Sequence, residues 1–400
     1  MTIAVHSIAH ARATTAASPD SEQVPDRPIR VLFINDHLGF PGGVTHGSTT
    51  YLSSILPAFD RRRVDARLCI CRDRHAAAER FEEAGVPLVF LGRAKWDPRV
   101  FTDMLSLIRR WDIDVVHLNG QKSHLLGRLA ARLLRRRAII HLHMLYAPRP
   151  RWLQVWLARR TDAALGVSQA MRDWAIEAFG MEPGRTSTLY NGVELERFMR
   201  PPAKVRRAVR AELGLAPATP VAVVVGRVTT KPDKGQRLAI EAFRTVLRQV
   251  PDAVLLIVGD GPARPECEAQ AEALEISHAV RFLGHRSDVE RLYAAADLGV
   301  VPSVVDEAFC YAALEALASS RPVVAFDGGG VPELVRDGET GVLVRTGDVD
   351  GLAAGVARLL GDPLLRGRLG ENGRTHAEQF GVAPHVERLE TLYRSLTRPS

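Results

Sequence analysis

The chain has little of what usually announces a function. It holds four cysteines in 400 residues, Cys69, Cys71, Cys267 and Cys310, with no Cys-x-x-Cys pair and no disulfide-like framework. That argues against structural zinc and fits a reducing compartment, so a cytoplasmic location is expected. No run of about 18 apolar residues occurs, so no spanning helix is expected. Residues 1–27 are rich in Ala, Ser and Thr and lack a cationic start followed by an apolar core. They read as a disordered tail rather than a secretory leader. No repeat of roughly 20–50 residues is visible, which excludes a solenoid. No Gly-x-Gly-x-x-Gly follows a strand, which removes the dehydrogenase reading, and no Gly-x-x-x-x-Gly-Lys-Ser/Thr is present, which removes the P-loop.

What is there belongs to an ordinary globular protein, 46% hydrophobic and 25% charged. At about 100–200 residues per domain, two domains are expected. The net charge of +7 is uneven: residues 28–200 carry 27 Lys and Arg against 17 Asp and Glu, and residues 201–400 carry 24 against 26. The basic half fits an anionic partner, whether nucleic acid, lipid or an acidic acceptor. Two segments concentrate that charge. Ser123 to Arg137 reads as an amphipathic helix with a cationic end, and Arg149 to Arg160 alternates cations with tryptophan. Both suit peripheral contact with an anionic membrane, or packing inside the domain with snorkelling arginines, which is the favoured reading.

Short apolar runs alternate with amphipathic stretches. Strands are expected at 30–35, 64–71, 86–91, 114–118, 138–143 and 163–167, with helices at 44–56 and 123–136. The pattern breaks at Arg200-Pro-Pro202 and restarts with strands at 221–225, 253–258, 280–283, 298–301 and 323–326. Helices are expected at 236–250, 265–274, 289–295 and 309–318. This alternation predicts an α/β protein of two facing, doubly wound, Rossmann-like domains, 28–200 and 201–379. Its ligand cleft would lie at the carboxyl ends of both sheets. A last helix near 380–398 is expected to pack back on the first domain.

Three segments carry chemistry. Gly226-Arg-Val-Thr-Thr-Lys-Pro-Asp-Lys-Gly235 places Arg227, Lys231 and Lys234 between a strand and a helix start, where a diphosphate would meet cations and free N–H groups; a solvated turn explains it equally. Asp306-Glu-Ala-Phe-Cys-Tyr-Ala-Ala-Leu-Glu315 sets two glutamates eight apart, which on a helix is about 80° off a common face. Glu307 would open the helix and face the cleft. Glu315 would sit among Ala and Leu, where an ionised carboxylate can accept two sugar hydroxyls; a cap at Glu307 and a pair between Glu315 and Arg321 is the bland alternative. Asp327-Gly-Gly-Gly-Val-Pro-Glu333 is a third anion-friendly turn, or merely a tight connection.

The ordered set of Gly-Arg…Lys-Gly235, Val-Gly-Asp-Gly-Pro262, Phe-Leu-Gly284, Pro-Ser303, Glu-x7-Glu315, Arg-Pro-Val-Val324 and Gly-Gly-Val-Pro-Glu333 resembles the retaining GT-B glycosyltransferases of family 4. Pro-Gly-Gly43, Asp-Val-Val-His117 and Asn-Gly-Val-Glu-Leu-Glu-Arg-Phe198 extend the likeness across residues 30–385. The resemblance implies a nucleotide diphosphate-sugar donor, a UDP- or GDP-hexose, held on the second domain. Arg227 and Lys234 match the diphosphate-holding pair, Glu315 the glutamate near the ribose, and Glu307 the one near the donor sugar. Gly329 and Gly330, with Gly42 and Gly43 opposite, match loops near the phosphates, and Gly284 with His285 lies near the base. Gly226, Ala308, Phe309 and Cys310 complete the expected donor site.

The same resemblance implies retention without a metal or cofactor, by front-face substitution, and an acceptor that is a glycan, a lipid-linked sugar or a small hydroxyl compound. Nucleic acid is not an expected partner. The sequence departs from the pattern at four places. Arg227 and Lys234 stand about two residues farther apart than usual, which brings in Lys231. Cys310 replaces a glycine, and Ser320-Arg321 replaces Gly-Thr. Asn119 stands where relatives have a histidine, which leaves His117, His141 or His143 as acceptor-side candidates, with His117 also a catalytic candidate. A sugar-binding protein without transfer activity, or a nucleotide-sugar epimerase, is the alternative to the transferase.

Overall fold

The computed structural model describes residues 27–39, 46–94, 97–199, 203–230 and 234–398. Residues 1–26 of the expected tail, Gly42, Gly43 and Lys231 lie outside the described residues, whereas Arg27, counted with that tail, pairs with Asp114. Two parallel sheets organise the rest. The first contains β1 (Ile29–Asn35), β2 (Val64–Ile70), β3 (Leu88–Phe90), β4 (Val115–Leu118), β5 (Arg137–Leu142), β6 (Ala163–Gly166) and β7 (Thr186–Thr188), in the order β3-β2-β1-β4-β5-β6-β7. The second contains β8 (Val221–Val225), β9 (Val254–Val258), β10 (Val280–Gly284), β11 (Leu298–Val301), β12 (Val323–Phe326) and β13 (Gly341–Val344), in the order β10-β9-β8-β11-β12-β13.

The strands are short and apolar because helices cover both faces of each sheet. All four residues of β11 and of β12 are buried, for example. In both sheets the strand order reverses beside the first strand, between β1 and β4 and between β8 and β11. A doubly wound sheet opens a crevice at that reversal, outside the carboxyl ends of the strands.

The last helix, Val382–Thr397, crosses back to the first domain. Val386, Leu389 and Tyr393 recur at helical spacing and bury one face of it against β1 and the helix Gly47–Ile55. A further set of buried residues, including Val193, Phe198, Phe309 and Phe380, runs continuously from one domain into the other.

Several boundaries differ from expectation. The helix expected at 309–318 spans Tyr311–Ala318, because Phe309, in a bend, and Cys310, in extended backbone, are buried ahead of it. Glu307 therefore lies in the loop and does not open the helix, and the 80° relation to Glu315 does not apply. The helix expected at 44–56 is described over Gly47–Ile55 and tightens into a 3-10 turn at Leu56–Ala58. Thr186–Thr188 and Gly341–Val344 were not expected as strands; they are edge strands of three and four residues, too short to show a period.

Candidate active site

The second-domain site is built at the reversal between β8 and β11. The Gly226 N–H donates to the Val258 carbonyl at 2.9 Å, tying the end of β8 to β9, and the chain then turns outward. Arg227 is exposed there, and its carbonyl accepts from Gln236 Nε2 at 3.1 Å. Gly235 has φ +76°, and a Cβ on it would lie 1.7 Å from the Pro302 carbonyl oxygen. Only glycine lets the loop after β8 press so close to the loop after β11. The helix Gln236–Gln249 starts immediately after Gly235, so its positive end faces the same loop.

That contact carries Lys234 to Glu307. Lys234 Nζ lies 2.5 Å from Glu307 Oε1, with the two side chains 30% and 15% exposed. The Gly328–Gly330 turn after β12 closes the third side. Gly329 has φ +58°, and a Cβ there would stand 2.5 Å from the Glu307 carbonyl oxygen. The Gly330 N–H donates to that same oxygen at 2.7 Å. Gly330 was expected to face phosphate; its N–H is committed to holding Glu307 in place. Ala308 is half-buried, while Phe309 and Cys310 are buried in the core. Burial pushes the Cys310 thiol up to about 12, so it stays neutral. The side chain that replaces a glycine is thus stowed in the core.

Glu315 sits in the middle of Tyr311–Ala318 and is half-buried. Among the described residues its carboxylate has no hydrogen-bond or ion-pair partner, and burial pushes its pKa up to about 8, with Arg197 opposing. The Arg321 guanidinium donates to the Tyr293 and Ala294 carbonyls at 3.0 and 3.3 Å. Gly284, at φ +65°, and exposed His285 end β10 at the outer side of this sheet.

The two domains meet across the cleft at Glu333. One carboxylate oxygen accepts from the Gln169 N–H at 2.6 Å and the Tyr190 hydroxyl at 2.9 Å, and the other accepts from the Ala170 N–H at 3.0 Å. Glu333 thereby covers the N-terminus of the first-domain helix Gln169–Phe179, where a carboxylate is favoured. Arg197 and Glu290 add a second bridge of 3.2 Å. The sequence reading assigned no role to Glu333; a glutamate after Val-Pro reads locally as first-turn charge, and its partners are more than 140 residues away.

The acceptor-side candidates divide. His117, expected as an acceptor-side and catalytic candidate, is fully buried on β4. Alternation along β4 turns its ring inward, stacked on Phe33 at 4.6 Å. The protonation pattern can be traced. His385 Nδ1 donates to the Tyr190 carbonyl at 2.7 Å, so Nε2 accepts from the Tyr51 hydroxyl at 3.0 Å. The Tyr51 oxygen and His117 Nε2 then share the proton of His141 Nδ1, at 3.3 and 3.2 Å, and His117 Nδ1 donates to Tyr393 at 2.7 Å. His141 Nε2 is left as a buried lone pair without a partner. Burial pushes His117 down to about 3 and His385 to about 4, so both are neutral. His141 is fully buried in the same cluster and does not reach the cleft.

Asn119 and His143 follow the ends of β4 and β5 and form a pair, with His143 Nε2 donating to Asn119 Oδ1 at 3.1 Å. The His143 Nδ1 acceptor has no partner among the described residues. Beside them, half-buried Asp36 accepts from the N–H groups of Lys122 and Ser123 at 2.8 and 2.9 Å. Asp36 so occupies the N-terminus of the helix Gln121–Leu133 and excludes an anion from it, a role the sequence reading missed.

Two Asp-x-Asp spacings occur. Asp112 pairs with Arg30 and Arg136, and Asp114 with Arg27, ahead of β4 and so at the sheet end away from the cleft. Asp348 accepts from the Gly351 N–H and caps a helix. Among the described residues no group of three or more His, Cys, Asp or Glu is placed to hold an ion.

The Glycosyl transferases group 1 model matches residues 205–376, and the Glycosyltransferase Family 4 model matches residues 45–197. EpsD of Bacillus subtilis (strain 168), named as a glycosyltransferase, is 30% identical over 320 residues, 75% of this chain and 82% of EpsD. The UDP-Gal:alpha-D-GlcNAc-diphosphoundecaprenol alpha-1,3-galactosyltransferase of Escherichia coli is 26% identical over 74% of this chain and 79% of its own length. The D-inositol 3-phosphate glycosyltransferase of Corynebacterium glutamicum (strain R) is 34% identical, but the match spans only 56% of that protein. Among solved structures, Anabaena HepE in complex with UDP superposes with a TM-score of 0.80 at 26% identity, covering 92% of this chain and 100% of HepE. The two parallel α/β domains are a GT-B fold. The chain belongs to the GT-B glycosyltransferases of family 4, enzymes that use nucleotide-sugar donors.

Proposed function

We propose that the protein moves a hexose from a UDP- or GDP-sugar to an acceptor hydroxyl with retention at the anomeric carbon and without a metal. The observation that carries this reading is the Lys234–Glu307 pair at the strand reversal of the second domain, held by the Gly235 and Gly329 contacts. In the proposed reaction Lys234 exchanges Glu307 for the donor diphosphate, Arg227 and Lys231 add charge, and Glu307 turns to the sugar. Glu315 takes the ribose hydroxyls. The anomeric carbon loses its bond to the phosphate oxygen and gains one to the acceptor oxygen on the same face. The departing phosphate oxygen takes the acceptor proton. Cations that meet charge as it grows on the leaving group lower the barrier more than they strengthen ground-state binding.

A UDP-sugar among these is supported by the UDP held in HepE and the UDP-Gal named for the Escherichia coli relative. That relative's diphosphoundecaprenol acceptor supports a lipid-linked sugar as the acceptor. In this reading the Asn119–His143 pair, whose His143 Nδ1 lacks a partner among the described residues, receives the acceptor hydroxyl. Transfer from UDP- and GDP-hexoses in the presence of EDTA tests the proposal, with product configuration read by NMR; abolition by EDTA, or an inverted product, overturns it.

A further inference from the structure

From Val115 to Thr161 the chain has ten cations and no acidic residue. Seven large apolar side chains are exposed among the described residues, and five of them, Leu133, Met144, Leu145, Trp152 and Trp156, lie in this same stretch. Trp152 is 73% exposed and stands one turn from Trp156 on the helix Arg151–Ala158, so the two share a face. The guanidinium carbons of Arg160 and Arg132 lie 4.3 and 5.1 Å from the Trp156 ring centroid. That brings the end of the neighbouring helix Gln121–Leu133, with Leu133, beside the tryptophans. Arg136 and Arg137 are paired with Asp112 and Asp162, and Arg128 is buried. Arg135, Arg149, Arg151 and Arg159 are exposed and have no carboxylate partner among the described residues.

We propose that this face of the first domain docks on an anionic lipid bilayer, with Trp152, Trp156, Leu133, Met144 and Leu145 entering the headgroup region and the unpaired arginines meeting the lipid charge. The mixture selects that partner. Single-stranded nucleic acid would use the arginines and tryptophans but would gain nothing from the exposed Leu and Met side chains. The bilayer interface takes all three kinds, since aromatic rings and arginine stems are stable where one end is apolar and the other wet. Acidic residues, which would repel the surface, are missing from this stretch alone over such a length. Met144 and Leu145 directly follow His143, so docking brings the acceptor side of the cleft to the bilayer. That orientation rests on the proposed function, whereas docking itself does not.

The test is co-sedimentation of the full chain with phosphatidylcholine vesicles, with and without phosphatidylglycerol, and binding to a single-stranded RNA oligonucleotide in parallel. Partitioning is expected to rise about 10-fold or more with the anionic lipid and to fall with added salt. Trp152→Ser and the double variant Arg149→Glu/Arg151→Glu are each expected to lose most of it while UDP affinity stays unchanged. Arg151→Glu puts a carboxylate at a helix start, where it is favoured, so its loss of partitioning is not unfolding. No lipid dependence, undiminished partitioning of both variants, or binding to RNA but not to vesicles overturns the proposal. The readout needs neither donor nor acceptor, so it fails or succeeds independently of the transfer reaction.

Discussion

Lys234 Nζ and Glu307 Oε1 meet at 2.5 Å across the reversal between β8 and β11, although 73 residues separate them in sequence. The pair is partly exposed, so it contributes at most about 1 kcal/mol to folding. Its proposed importance is catalytic. Lys234→Ala is expected to lower kcat by about 10²–10³-fold, the cost of removing one charge-stabilising donor, with a thermal midpoint close to wild type. Lys234→Arg should recover part of the rate. Steady-state transfer kinetics check this; an unchanged kcat in Lys234→Ala removes the lysine from the reaction.

Glu315 gives a prediction with a sign. Its pKa in the folded protein is raised to about 8 from an ordinary 4.5. The folded state therefore favours the protonated form. The cost is nil below about pH 4.5 and grows until the pH passes about 8. Glu315→Gln removes that cost. It is expected to stabilise the ligand-free protein by on the order of 4–5 kcal/mol at pH 8.5 and by little at pH 5, while weakening UDP binding by about 10-fold or more. Equal stability of the two proteins at pH 8.5 would count against a desolvated, unpartnered carboxylate.

Glu333 joins the domains through three hydrogen bonds, to Gln169, Ala170 and Tyr190. Hydrogen bonds to a charged group contribute about 1.5–3 kcal/mol each when well formed. Glu333→Ala is expected to open the cleft, enlarging the radius of gyration in small-angle scattering and raising the donor KM about 10-fold. Tyr190→Phe should do so more weakly. A radius equal to that of wild type, with the KM unmoved, denies the bridge any part in closure.

The histidine cluster predicts acid sensitivity. His117 and His124 are pushed down to about 3, and His385 to about 4, by burial. These groups stay neutral when folded but charge when unfolded, so stability is full above about pH 6.5 and is lost as pH falls toward 4. The slope is on the order of 1 kcal/mol per histidine per pH unit. His117→Phe should lower the thermal midpoint, because it leaves Tyr393 and His141 short of a partner, yet retain most of the transfer rate at 25 °C. A rate loss of about 10³-fold in a folded variant would restore His117 as catalytic.

The architecture was legible because parallel strands covered on both faces write themselves as short apolar runs such as Val221–Val225. Edge strands such as Thr186–Thr188 left no such trace. The helical place of Glu315 was also readable, since its neighbours are Ala and Leu. Glu307 was misplaced onto the helix because Phe309 and Cys310 fit a helical pattern but are buried in non-helical backbone. The burial of His117 was not readable, because the period along a strand fixes which residues share a face, not which face turns inward. Asn119 and His143, at the ends of neighbouring strands, are joined by a hydrogen bond that no local spacing predicts. Glu333 and Asp36 were missed for one reason: each acts on a helix start far away in sequence, which no local spacing records.

The central claim is that Lys234 and its loop hold the diphosphate of a nucleotide-sugar. Isothermal calorimetry of wild-type and Lys234→Ala protein against UDP and GDP addresses it most directly. The account predicts binding of one of these nucleotides to the wild type and about 10-fold or greater weakening in the variant, from loss of one charge-assisted contact. Equal affinity in the two proteins, or no binding of either nucleotide to the wild type, contradicts it.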